Sequence, residues 1–322
     1  MRLSIKQFSF ILLASVLLPA STLAQQSGTW ELLPETPTAR TEVAVVNHQD
    51  KIYLIGGFTP KGISEQVEVY DPKTRSWSKA APLPSPRHHT TAVSTNGKIY
   101  VIGGFSSGMW TPVNTVYAYD AAKDEWTEQA PMPTKRGALA AGAIDGKIYA
   151  VGGALKKLFR LRNTNANEVY DPKTNTWKQL APIPTPRDHL TVSVAHGLLY
   201  AIGGRVNVNY NENLSANEAY DPKSNRWKAR ASLPTARSGI TSQYIKGKIF
   251  VFGGESGEGT FDENEAYDPK TNQWSTQPPM PKSCHGLGSA VINGKIHLLN
   301  GGPHPGGGGS KYHQVFTPAT HN

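Results

Sequence analysis

Asn96-Gly97-Lys98-Ile99-Tyr100-Val101-Ile102-Gly103-Gly104, with Val116-Tyr117-Ala118-Tyr119-Asp120 and Trp126 after it, is the stretch on which the fold turns. Asn-Gly is the dipeptide of a two-residue hairpin turn, whose central positions need positive φ. The β-branched and aromatic runs beside it read as short strands. The pattern recurs. Glycine doublets fall at Gly56-Gly57, Gly103-Gly104, Gly152-Gly153, Gly203-Gly204, Gly253-Gly254 and Gly301-Gly302, spaced by 47, 49, 51, 50 and 48 residues. Each of the first five is followed by a Tyr-Asp pair (Tyr70, Tyr119, Tyr170, Tyr220, Tyr267) and, seven residues on, by a tryptophan (Trp77, Trp126, Trp177, Trp227, Trp274). The sixth unit ends in Phe316-Thr317-Pro318, and the missing tryptophan stands at the other end of the chain, as Trp30.

Six units of four short strands follow, with Asp71-Pro72-Lys73-Thr74 a type I turn between the last two strands of the first unit. One four-stranded sheet has too little core to stand alone, whereas six packed radially bury their faces against one another. The ring closes if the Trp30 segment supplies the outer strand of the last unit. On these doublets, tyrosines and tryptophans the sequence resembles the kelch-repeat β-propeller family, over residues 29–318. The resemblance implies an all-β, six-bladed propeller with four antiparallel strands per blade. It implies little about function, because the scaffold hosts enzymes, carbohydrate binders and protein-binding hubs alike.

Composition agrees with a turn-rich β protein. The 31 glycines and 24 prolines are about 17% of the 322 residues, short of the roughly 25–30% of low-complexity chains, and charged residues are 18%. Residues 1–24 read as a signal peptide: Arg2 and Lys6 precede an apolar run at 8–20, and Thr22-Leu23-Ala24 offers small residues for cleavage after Ala24. The run is 13 residues, too short to span a bilayer, and no other stretch is a candidate. The expectation is a secreted or periplasmic, monomeric chain with residues 25–322 forming a single propeller. Past the leader it keeps 31 basic and 24 acidic residues, with no basic run longer than a pair, so acidic ligands fit the charge better than nucleic acid does. Cys284, the sole cysteine, has no partner for an internal disulfide.

Spacing inside the units locates the variable end. Tryptophan to the basic residue of the next unit is always ten residues (Trp30 to Arg40, Trp77 to Arg87, Trp126 to Arg136, Trp177 to Arg187, Trp227 to Arg237), with Trp274 to Cys284 matching. From that residue to the second glycine the count is 17 in five units and 18 in the sixth. From the second glycine to the Tyr or Phe it runs 13, 15, 17, 16, 13 and 14. The variation therefore sits between strands two and three. Those loops open on the same end as the links from strand four to the next strand one, and a ligand site is expected there, around the central channel.

Four arginines at this end have a glutamate two residues before the Tyr: Arg40 with Glu68, Arg136 with Glu168, Arg187 with Glu218, and Arg237 with Glu265. In the sixth unit both charges vanish together, as Cys284 and Gln314, which is the signature of buried ion pairs. Arg87 is the exception, with Tyr117 in the glutamate position, and is a candidate for a ligand carboxylate or sulfate. Two residues after the arginine the units read Glu42, His89, Ala138, His189, Gly239 and Gly286, which suggests a lined opening. After the doublets come Phe58, Phe105, Ala154, Arg205, Glu255 and Pro303, and the loops beyond carry Trp110, Tyr210 and a basic cluster of Lys156, Lys157, Arg160 and Arg162. Arg87, His89, Trp110, Arg205, Phe58, Phe105, His189, Glu255, Glu42 and Tyr210 form the candidate ligand-binding set. Aromatic faces with polar groups beside them suit sugars. His88, His89, His189, His285 and His304 could converge on a metal, but they come from separate blades without ligand spacing, so no metal or cofactor is expected. The glycines at 306–309 lack the order of a phosphate-binding loop.

No local catalytic motif is present, neither Gly-x-Ser-x-Gly nor His-Glu-x-x-His. The expected function is therefore a recognition module for a glycan or protein ligand. The alternative is a sugar isomerase: a leader ahead of six kelch blades resembles the bacterial sialic acid mutarotase family, which would place Arg87 or Arg205 on a sugar carboxylate and Glu42, Glu255, His89 or His189 in proton transfer. A copper radical oxidase resembling galactose oxidase would need a Tyr–Cys crosslink and seven blades, and Cys284 has no recognisable partner tyrosine.

Overall fold

A computed structural model of the chain describes residues 28–106 and 110–319, so the leader read at 1–24 lies outside the described residues. Blade one comprises Ala44–His48, Lys51–Ile55, Val67–Asp71 and Ser76–Ala80, and blade two Thr91–Thr95, Lys98–Ile102, Val116–Asp120 and Glu125–Gln129. Blade three is Ala140–Ile144, Lys147–Val151, Asn167–Asp171 and Thr176–Gln179, and blade four Thr191–Ala195, Leu198–Ile202, Asn217–Asp221 and Arg226–Ala229. Blade five follows with Thr241–Ile245, Lys248–Phe252, Asn264–Asp268 and Gln273–Thr276. Gly288–Ile292, Lys295–Leu299 and His313–Thr317 begin blade six, and Thr29–Leu32 completes it as the outer strand, Trp30 opposite Phe316. All strand pairs are antiparallel. In each blade the second strand is buried at four of its five residues, while no residue of the fourth is fully buried, so burial falls from the middle of each blade to the rim.

The repeated residues join the blades. Tyr70, Tyr119, Tyr170, Tyr220 and Tyr267 face their tryptophans across strands three and four, ring centroids 4.8–5.2 Å apart. Trp126, Trp177, Trp227 and Trp274 then donate Nε1–H to a carbonyl of the preceding blade's exit (Ala81, Ala130, Ala181, Ala231) at 2.8–2.9 Å. Asn175, Asn225 and Asn272, five residues after their tyrosines, accept from the tyrosine hydroxyl and from a backbone N–H of the preceding blade. Each lies in the left-handed region, which asparagine tolerates. The Arg–Glu pairs are present in blades one, three, four and five, fully buried on the arginine side. A threonine two residues before each arginine donates to the same glutamate. Blade six replaces the charges with a neutral bond set in which the Gln314 amide holds both backbone groups of Lys282. Cys284 is fully buried beneath it, its Sγ 3.6 Å from the Asn300 carbonyl, and burial pushes its thiol up to about 12.

One register read from sequence is corrected. Asn300-Gly301, not Gly301-Gly302, occupies the doublet position of blade six: their φ angles are 59° and 104°, and Gly302 makes the bridge to His285 that Phe105 makes to His88 and Glu255 to Ser238. The count from strand-one residue to doublet is thus 17 in every blade, and the residue after the doublet is Gly302 rather than Pro303. A Cβ on Gly302 would come within 2.4 Å of His285 Nε2.

Backbone rings the axis. Glu42, His89, Ala138, His189, Gly239 and Gly286 are equivalent, and all have φ between 51° and 68°. Their peptides form a ring: His89 N–H donates to Glu42 O, Ala138 to His89, His189 to Ala138, Gly239 to His189 and Gly286 to Gly239, at 2.8–3.1 Å, and Val43 N–H closes it on Gly286 O at 3.3 Å. Two blades use glycine. Four hold a side chain in a conformation that costs a non-glycine residue about 1–2 kcal/mol.

Gly239→Ala and Gly286→Ala both pay the left-handed cost, but a Cβ at 239 meets nothing nearer than 3.3 Å while one at 286 meets Glu42 Oε1 at 2.5 Å. Urea unfolding should therefore show a loss of about 1 kcal/mol for the first and a clearly larger one for the second. At the seam between blades six and one, His297 stands where other blades have Tyr or Phe, and its Nδ1 lies 2.9 Å from His313 Nε2, under the rings of Tyr70 and Trp77. Burial, with the Lys295 ammonium, lowers His297 to about 4, and burial with His297 lowers His313 to about 3. Both must charge on unfolding, where the ordinary value is near 6.5, so their contribution is complete above about pH 6.5 and is lost as pH falls through 4 to 3. The melting temperature should drop across pH 6.5 to 4.5, above the range where most carboxylates titrate, and the slope should flatten in the His297→Phe, His313→Asn double variant.

Candidate functional site

The long loops and the strand-four links meet on one end, as the bridges Thr41 to Phe58, His88 to Phe105, Gly137 to Ala154, Asp188 to Arg205, Ser238 to Glu255 and His285 to Gly302 show. In blades one to three the loops form short hairpins, Phe58–Thr59 with Gly62–Ile63, Phe105–Ser106 with Thr111–Pro112, and Ala154–Lys157 with Arg160–Asn163. With the loops of blades four to six they line an open cavity of about 770 Å³ above the axial ring. That is the size of a small-molecule site.

Its floor is a continuous chain of buried charge. His189 Nδ1 bonds Asp188, Arg205 Nε donates to the same carboxylate at 3.1 Å, and Arg205 Nη2 lies 2.8 Å from His189 Nε2. Arginine can only donate, so Nε2 of His189 accepts and Nδ1 carries the proton toward Asp188. Arg205 Nη1 reaches Glu255 at 2.8 Å. Glu42 lies between two imidazoles, 3.2 Å from His89 Nε2 and 3.2 Å from His285 Nδ1. The left-handed backbone of the ring is what turns Glu42, His89 and His189 toward the axis together.

Electrostatics set the state of the floor. Burial alone would raise the Glu42 carboxyl, but His89, His285 and His189 hold it well below the usual carboxylate range. For Asp188, burial is likewise outweighed, by His189 and Arg205, and its value is lowered. Burial drives His89 well below its ordinary value against the pull of Glu42. His285 is also desolvated, yet the carboxylates of Glu42 and Glu255 raise it.

Eight of the ten candidate residues line the cavity: Glu42, Phe58, His89, Trp110, His189, Arg205, Tyr210 and Glu255. The other two do not. Arg87 keeps the framework role of its counterparts by other means, donating to Ser85 Oγ, Pro86 O and Thr115 Oγ1 at 2.8–3.0 Å with its guanidinium 5.8 Å from the Tyr117 ring. It is buried away from the cavity, so a ligand anion does not meet it there. Phe105 is fully buried behind the wall, under His88 and Trp110. His285 lines the floor without being in the candidate set, and Asp188 orients two members of it from below. Both fall in the column directly after the strand-one arginine, which reads Thr41, His88, Gly137, Asp188, Ser238 and His285. The glycines 306–309 form part of the cavity wall, and Gly306 N–H donates to Glu255 at 2.7 Å. The basic hairpin of blade three is solvated at its tip, where Leu158 and Phe159 are 85% and 94% exposed.

The fold is shared with known proteins. The solved structure of YjhT superposes with a TM-score of 0.76, at 17% identity, over 88% of this chain and 97% of that one. Short stretches resemble an F-box/kelch-repeat protein of Arabidopsis thaliana (46% identical over 48 residues, 15% of this chain), Kelch-like ECH-associated protein 1A of Danio rerio (48% over 44, 13%) and Kelch-like protein 1 of Mus musculus (51% over 37, 12%). These stretches cover 13%, 7% and 5% of those proteins. A family model described as the Attractin/LZTR1 beta-propeller matches residues 21–262, well over half the sequence. With its six blades and repeated doublets, the chain belongs to the Attractin/LZTR1 β-propellers, a family of the kelch-repeat type.

Proposed function

We propose that the chain is a secreted or periplasmic recognition module, monomeric, that takes a carbohydrate into the cavity above the axial ring. The observation that carries this reading is the pairing of Phe58, Trp110 and Tyr210 at the wall with a hydrogen-bonded polar floor of Glu42, His89, His189, Arg205 and Glu255. Aromatic faces stack on the C–H side of a pyranose, and fixed donors and acceptors read its hydroxyls. A neutral glycan suits the floor better than a sugar acid: Arg205 is already shared between Asp188 and Glu255, so no arginine there waits for a ligand carboxylate.

A protein ligand is the second reading. It is favoured by the exposed Leu158 and Phe159 at the rim, and one relative is named for its association with ECH.

Saturation-transfer NMR against neutral mono- and disaccharides tests the first reading. Transfer should appear for at least one sugar, and Trp110→Ala and Tyr210→Ala should each weaken it by about tenfold, the worth of one stacked ring. Arg87→Ala should lower the melting temperature and leave affinity unchanged. Accelerated anomeric exchange in the same spectra would replace recognition by catalysis. Absence of transfer from every sugar would overturn the carbohydrate reading and leave the protein ligand.

A further inference from the structure

The floor of the cavity holds more negative than fixed positive charge. Glu42, Asp188 and Glu255 are three buried or nearly buried carboxylates around a single guanidinium, Arg205, which bonds two of them. Glu42 has no lysine or arginine partner among the described residues and faces the imidazoles of His89 and His285, with that of His189 close by. Buried anions in excess are costly unless a proton or a cation sits among them.

His285 is oriented for a cation. Its Nε2–H donates to the carbonyl of His304 at 3.0 Å, which fixes the ring and leaves Nδ1 as the nitrogen aimed at the carboxylates. A backbone carbonyl on the far nitrogen is the usual support of a metal-binding histidine. Nδ1 is buried, 3.2 Å from Glu42 Oε1 and 3.5 Å from Glu255 Oε2, yet it completes a hydrogen bond to neither. A proton there points between the two oxygens. Metal–ligand bonds of about 2.1 Å put neighbouring donor atoms about 3.0–3.4 Å apart, close to both separations. The three donor atoms lie within 4.8 Å of one another. Glu255 is itself held, by Gly306 N–H on Oε2 and by Arg205 on Oε1.

We propose that Glu42, Glu255 and His285 bind one divalent first-row transition-metal ion, with its remaining coordination positions open to the cavity. Two carboxylates and one imidazole are a donor set for manganese, iron or zinc rather than for a soft ion. The adjoining trio of Glu42, His89 and His189 is equally compact, but Arg205 already donates to His189 Nε2 at 2.8 Å and puts a cation in that place. The proposal stands apart from the sugar reading, since the ion needs no ligand in the cavity.

The test uses the full chain after dialysis against EDTA, titrated with manganese chloride and followed by the EPR signal of free Mn²⁺, then with cobalt chloride followed by visible absorption. One equivalent of Mn²⁺ should bind, and Co²⁺ should develop d–d bands. Glu42→Gln and Glu255→Gln keep the shape of the site and should each weaken binding by tenfold or more, in the range seen for disturbed metal sites. His196→Gln, which removes an exposed imidazole, should change nothing. Failure of the wild-type chain to bind Mn²⁺ or Co²⁺ up to about 1 mM would overturn the proposal. So would binding that survives both glutamine variants. Either result would make the trio an imidazolium bridging two carboxylates. The wild-type titration decides even if a variant does not fold, and circular dichroism reports which of them do.

Discussion

The ring of peptide hydrogen bonds around the axis is the constraint from which the site follows. Five of its residues donate their N–H to the carbonyl of the preceding blade's residue, Val43 N–H closes the circle, and the backbone at all six equivalent positions turns through the left-handed region. That geometry rings the channel with main chain and gives the backbone the same turn in every blade. Glycine meets it without strain, and blades five and six use it. Glu42, His89 and His189 meet it at a cost, and theirs are the side chains that converge. Ala138 bears the cost with only a methyl group to show, and that methyl packs against Phe105 and Ala154.

Away from the axis the structure separates framework from exception by a simple test: whether a charge has the partner its counterparts have. Four arginines are each buried with a glutamate that a threonine also bonds. Arg87 looks in sequence like a cation without a partner. In three dimensions Ser85 and Thr115 supply hydroxyls where the glutamate would stand, so the residue remains framework. Arg205 has the opposite history. It has no counterpart in the other blades, and its partners Asp188, His189 and Glu255 come from two blades and three columns of the repeat.

The fold was legible because the repeat is encoded locally. Asn-Gly turns, the doublets and the Tyr–Trp pairs each specify a short piece of backbone, and counting the pieces gave six blades and the closing strand. The one register slip, at Asn300, arose because asparagine can take the glycine conformation and a true Gly-Gly lay one residue on. The site was legible where a column held an unusual side chain, as at Glu42, His89, His189, Arg205 and Glu255. It was less legible where meaning depends on who sits opposite. Asp188 shows its role only once Arg205 crosses over it, and His285, one of five histidines that the sequence offers as a converging group, meets two carboxylates that its position in the chain does not reveal.

Under the proposed reading, charge sets what this end of the propeller would select. Every polar atom on the floor that has found a partner is held by another side chain or by main chain, so the floor presents a fixed pattern of donors and acceptors rather than mobile groups. A ligand that matches the pattern gains without reorganising it, and one that brings a carboxylate adds to an excess of negative charge already buried around Glu42. The apolar wall of Phe58, Trp110, Leu161, Val208 and Tyr210 accepts any flat apolar face and so contributes affinity with little discrimination. Selectivity therefore rests on the floor, and the floor rests on the left-handed turns that place its side chains around one axis.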